Sequence, residues 1–165
     1  MLPDPLDSAF ETPADSPGFL LWQVTNLWQR RQRAALKEAN LTHVQFVLLA
    51  SLTWLTRAGA EVSQVHLAQH AQVDVMMTSQ VARTLVEKGL IARAPHPRDT
   101  RANLLQPTAL GQQVARQAIR VVEQVDREFF AALSDNDAMA GFTRALRRLL
   151  EPDELVARQD DVHRS

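Results

Sequence analysis

Apolar residues recur at helical spacing from Phe19 to about Asn40, while the basic stretch QRRQR (29–33) stays outside the stripe. That pattern predicts an amphipathic first helix. The run LTHVQFVLLASLTWL (41–55) is apolar on nearly every side, which predicts a largely buried second helix. Thr42 followed three residues later by Gln45 has the reciprocal capping pattern, so this helix is expected to start at Thr42, and Gly59 lies in the break after it. Ser63 can cap a short helix, QVHLAQH, with Leu67 and Ala68 facing inward. Asp74 can cap the next, VMMTSQVARTLVEKG, in which Val81 and Leu85 share a face and Lys88-Gly89 mark the end. Two short helices joined by Ala71, Gln72 and Val73, the second carrying exposed polar residues, make a helix-turn-helix pattern.

The spacing then changes. LIARA (90–94) and ANLLQ (102–106) read as two short strands of a hairpin; Pro95 and Pro97 restrict its first arm, and Pro107 ends the second. Thr108 can cap a long helix with Val114, Ala118, Val122, Val125 and Phe129 at three- and four-residue steps. Ser134 opens a last helix with Met139, Phe142, Leu146 and Leu149 on one stripe. The expected fold is mainly α: a winged helix-turn-helix with a two-stranded β-hairpin wing and dimerisation helices at both ends. A winged helix needs only about three helices, so the first and the last two must bury their stripes elsewhere, and a second copy of the chain is the economical partner. Residues 1–17, with four prolines and four acids, read as a flexible acidic arm. The winged helix is expected at about 42–107, dimerisation helices at about 18–40 and 108–150, and a polar tail at 151–165.

Charge sharpens this picture. The net charge of −1 over 165 residues conceals an uneven distribution. Residues 1–17 carry −4 and residues 151–165 carry −3, so 18–150 holds 16 basic against 10 acidic residues, a net of +6. A basic body between acidic ends is a candidate polyanion binder. There is no cysteine, which excludes disulfides, thiolate catalysis and thiol-based redox sensing, and fits a cytoplasmic location. No apolar run approaches a membrane span, no signal-peptide layout opens the chain, and no membrane partner is expected. Gly-rich phosphate loops and nucleophile elbows are absent and the acids do not pair, so no enzyme, catalytic residue or cofactor is expected. His66 and His70 stand four apart on one helix face, but neither His43 nor any other residue supplies a third ligand at suitable spacing, so no metal site is expected.

The segment SQVARTLVEKGLIARAPHPRDTRANLLQPTALG (79–111) resembles the core of MarR-type transcription regulators. The match runs through recognition helix, Lys-Gly turn, strand, a wing carrying Asp-x-Arg (Asp99, Arg101), second strand, Thr108 and Gly111, and the helix order agrees over about 18–150. Pro107 and Gln80 depart from the family's usual aliphatic and basic residues. The resemblance implies a homodimer that binds a pseudo-palindromic operator in double-stranded DNA, usually as a repressor. It also implies release by a small aromatic or phenolic effector bound between the DNA-binding and dimerisation regions. The alternatives are a MarR-like regulator without an effector, or an interaction module that has lost DNA binding; the latter would have a wing stripped of arginines, and this wing is not.

In such a fold the wing tip reaches the minor groove, where Arg98 and Arg101 fit the negative potential and Asp99 orients an arginine. Gln80 and Arg83 are expected opposite the Val81–Leu85 packing, able to reach base edges or phosphates in the major groove. Thr78 and Ser79, near the helix start, suit phosphates. Ser63 is a cap and a candidate phosphate contact. Met76 and Met77 can touch thymine methyls, but packing beneath the helix is the expected role. The family's usual cavity lies among the first, second and fifth helices, where this chain offers Trp22, Trp28, His43 and Phe46 for a planar aromatic acid.

Overall fold

A computed structural model describes residues 8–95 and 103–151. The helices are α1 (Pro17–Ala35), α2 (His43–Thr56), α3 (Gln64–Ala71), α4 (Val75–Glu87), α5 (Ala109–Phe129) and α6 (Asn136–Leu150). The strands are β1 (Val62–Ser63), β2 (Ile91–Pro95) and β3 (Asn103–Pro107). Residues up to Val125 form one compact unit and those from Asp126 another.

In the first unit the helix boundaries are set by local hydrogen bonds. The Gln45 amide donates to the Thr42 hydroxyl and the Thr42 amide donates back to the Gln45 side chain, both at 3.2 Å, so the expected capping box opens α2. Ser63 accepts from the His66 amide at 3.2 Å and opens α3; Asp74 accepts from the Met77 amide at 3.0 Å and opens α4. α3 ends on Gln72 in the left-handed region, φ 51°, where a non-glycine residue reverses the chain into α4. α4 ends at Gly89, φ 68°, with the Leu90 amide returning to the Leu85 carbonyl at 2.9 Å.

Leu48, Leu49 and Leu52 of α2 lie in the centre of the core with Leu67, Leu85, Leu105 and Val62. α5 closes this core through Ala115, Ala118 and Val122. It also begins against the turn that ends α4. The Thr108 hydroxyl donates to the Gly89 carbonyl at 2.7 Å and accepts from the Gly111 amide at 3.0 Å. At Gly111 the helix passes so close to Leu90 that a Cβ would overlap the Leu90 carbonyl. The expected two-stranded wing is joined by a third strand: β1 pairs with β3 and β3 with β2, all antiparallel, with Val62 and Arg93 both opposite Leu105. Two residues are too few to show a strand period, so β1 is made by its partner rather than by its own pattern. β3 does end at Pro107.

Residues 8–16 are more organised than a flexible arm. Pro13–Asp15 form a 3₁₀ turn in which both the Thr12 amide and hydroxyl donate to the Asp15 carboxylate, at 3.0 and 2.8 Å. In the second unit, a 3₁₀ turn at Phe130–Leu133 leads into α6, which Asp135 caps by accepting from the Asp137 amide at 3.0 Å. Phe130 meets Phe129 edge-on at 5.0 Å and Phe142 at 5.8 Å. Among the described residues no helix is long and apolar enough to cross a membrane.

Candidate nucleic-acid interface

α3 and α4 pack on α2 and on each other, and the way α4 is seated decides which side chains it offers. Thr78, Ala82 and Leu85 are its buried positions. At roughly 100° per residue, Met76, Gln80 and Arg83 fall within about 60° of one another, directly opposite that buried stripe. All three are exposed. Gln80 and Arg83 therefore lie where the sequence puts them.

Thr78 does not. It has no exposed surface, and its hydroxyl has no hydrogen-bond partner among the described residues. The expectation that it touches phosphate is corrected: Thr78 is on the packing face, four and seven residues before Ala82 and Leu85. The expectation for the methionines reverses as well. Met76 is 73% exposed and Met77 50%, so neither packs beneath the helix. Ser79 is half-buried at the edge of the exposed face, and half-buried Ser63 accepts the α3 cap bond on its hydroxyl oxygen, which leaves its O–H able to donate. Arg98, Asp99 and Arg101 lie outside the described residues.

Two cations fix α4 in place: Arg93, which sequence reasoning passed over, and Lys88, which it reads only as part of the helix end. Arg93 in β2 is half-buried, and its guanidinium donates to the Gln64 side chain at 3.3 Å and to the Ser79 carbonyl at 3.4 Å. One arginine thus ties the wing strand to the first turn of α3 and to the middle of α4. At the other end, the Lys88 ammonium donates to the Asn40 carbonyl and to the Gln45 side chain, which also belongs to the α2 capping box. A signal for Arg93 was present: the run Ile91-Ala92-Arg93-Ala94 places a charge on the same side as Ile91, the buried side of the strand.

The proposed ligand residues are dispersed. The Trp28 ring meets His43 edge-on at 5.0 Å, but Trp22 is 63% exposed and stacks on Phe19, while Phe46 is filled into the core. None of these four side chains borders the cleft between α2 and α5. That cleft, of about 590 Å³, lies between the C-terminal half of α2 and the first half of α5, lined by Ala50, Thr53, Trp54, Arg57, Arg116 and Ile119 among others. The Arg57 guanidinium sits 3.2 Å above the centre of the Trp54 ring. His66 and His70 are both exposed on α3, and among the described residues no three His, Asp or Glu side chains gather as a metal site.

The sequence profile of the ArnR1-like winged-helix domain matches residues 37–126, from the end of the α1 turn through most of α5. The chain is 44% identical over 144 residues to the uncharacterized HTH-type transcriptional regulator YdcH of Bacillus subtilis (strain 168), covering 87% of this chain and 96% of that protein. It is 31% identical over 138 residues to the HTH-type transcriptional repressor Rv2887 of Mycobacterium tuberculosis, covering 83% and 93%. Its backbone is similar to that of a mutant MarR from E. coli crystallised with operator DNA, with a TM-score of 0.71 and 27% identity, over 81% of this chain and 92% of that one.

Proposed function

The chain belongs to the MarR family of winged-helix transcriptional regulators, DNA-binding proteins that are not enzymes, and from that premise we propose that it is a homodimeric repressor of a pseudo-palindromic operator. The observation that carries this reading is the outward line of α4. A helix whose opposite side is locked into the core, and which is tied to the wing by Arg93, presents Gln80 and Arg83 at fixed angles to a major groove. Gln80 supplies a donor and an acceptor for base edges, and Arg83 reaches a base edge or a phosphate. Ser79 and Ser63 flank this line as phosphate contacts. Arg98 and Arg101 enter the adjacent minor groove, with Asp99 holding one of them in place.

Dimerisation is supported by what the chain leaves uncovered. Phe19, Leu20, Leu21, Trp22, Val24 and Leu27 of α1 are exposed, as are Leu146, Leu149 and Leu150 of α6. An apolar surface of that extent on the two terminal helices fits a second copy of the same helices. The copy also sets two recognition helices for two half-sites about one helical turn apart.

The effector reading moves to the α2–α5 cleft. Trp54 and Ile119 give it apolar walls, and Arg57 and Arg116 give it positive charge, a combination suited to a planar aromatic carboxylate. A ligand there releases DNA only if it favours a dimer whose recognition helices are wrongly spaced.

Selection of bound sites from random duplex DNA tests the main reading. An enriched inverted repeat is expected, bound more weakly as salt rises; enrichment of nothing overturns it. Titrating aromatic carboxylates while following tryptophan emission and operator occupancy tests the effector. Quenching with parallel release that Arg116→Ala abolishes is the expected result.

A further inference from the structure

Met76 is the first residue of the outward line of α4 and is 73% exposed; among the large apolar side chains of the described residues only Leu149 is more so. Its neighbours Val75 and Met77 are exposed too, at 43% and 50%. The first turn of this helix is therefore apolar where it faces away from the protein, while the positions one and two turns on are Gln80 and Arg83. A thioether has no charge for a phosphate and is a poor partner for a base carbonyl or amino group. In the major groove the base edges present one apolar target, the C5 methyl of thymine. A long, unbranched and polarisable side chain can settle onto that methyl from a range of angles.

Resting on the operator reading above, we propose that Met76 is a specificity-determining residue that reads the C5 methyl of one thymine in each half-site. The contact buries apolar surface on both partners and leaves no polar group unpaired. A cytosine at that position offers an amino group and no methyl, so Met76 rejects it by leaving that donor against sulfur.

Replacing thymine by uracil removes the methyl and nothing else from the base edge, so a dT→dU scan of the selected operator tests the assignment. One position per half-site should lose affinity by about fourfold, the transfer free energy of one buried methyl, and by about fifteenfold when both half-sites are changed. Met76→Ala should bind the thymine and uracil operators alike, and Met76→Leu should restore the preference for thymine. The exposed side chain makes both variants safe for folding. A scan in which no uracil weakens the parent, or in which Met76→Ala loses as much as the parent at the same position, overturns the proposal while leaving the operator intact. Enrichment of no duplex sequence at all would overturn the operator reading itself.

Discussion

α2 and α6 are almost the same length, 14 and 15 residues, and treat their leucines in opposite ways. Leu48, Leu49 and Leu52 of α2 have at most 1% of their surface exposed, whereas Leu146, Leu149 and Leu150 of α6 face solvent. α1 behaves like α6 along its first half. The segment from α2 to β3 buries most of its leucines in its own core, with the start of α5 as a lid, although Trp54, Val65, Val75, Met76 and Met77 stay exposed. The terminal helices leave theirs open. The winged helix is largely complete within one chain; the uncovered terminal faces are the ones that the proposed second copy would cover.

The most severe way to break the self-contained half is Gly111→Ala. The added methyl meets the Leu90 backbone, which cannot swing aside like a side chain, so a loss of about 3 kcal/mol or more is expected. Thermal unfolding checks it, and a melting temperature equal to the parent's would refute the close approach.

The open half should respond in its association instead. Leu20→Glu together with Leu149→Glu places charge on both apolar faces and should cost the dimer about 2–4 kcal/mol. Sedimentation should show monomers whose winged-helix circular dichroism is preserved. Dimers of parental strength would mean that these faces are not the interface.

A smaller effect separates positioning from contact within the DNA-reading part. Arg93→Gln should weaken operator binding by about 1–2 kcal/mol, because α4 loses its tie to the wing strand. The salt dependence should stay parental if Arg93 acts through Ser79, and its slope should fall by about one if Arg93 touches phosphate directly. Arg93→Lys should rescue only in part, since one ammonium replaces a planar fork.

Thr78→Val is the mildest test. Its hydroxyl is buried without a partner among the described residues, so the substitution should be neutral or stabilise by up to about 1 kcal/mol and leave operator affinity unchanged. A loss of affinity would return Thr78 to the interface.

What could be read from the chain alone divides by range. The caps at Thr42, Ser63, Asp74 and Thr108, and the Lys88-Gly89 stop, are three- to six-residue patterns, and each was legible because its hydrogen bonds close within the same few residues. The facing of single side chains was less legible. Thr78 stands near the helix start, where a polar residue is expected to meet phosphate, although its spacing to Leu85 puts it under the helix; Met76 is of a type expected in packing, although its angle puts it outside. In both cases the helical angle outranked the residue type. Arg93 and Lys88 act across 14 to 48 residues of sequence, and no local pattern announces such partners. A cavity is illegible for the same reason: aromatics on neighbouring helices share one only if those helices leave a gap between them. Here the gap falls beside Trp54.

Thr108 and Gly111 have a mechanical consequence. α5 is a beam of 21 residues, about 31 Å long at the usual rise. One end of it is clamped to the turn that closes α4: a hydroxyl bonded on two sides holds it, and a helix backbone rests directly on a carbonyl with no side chain between. A clamped beam does not pivot. A push on the start of α5 therefore meets the turn that closes α4 directly, backbone against backbone, and that stiff joint depends on a position where the side chain is a single hydrogen.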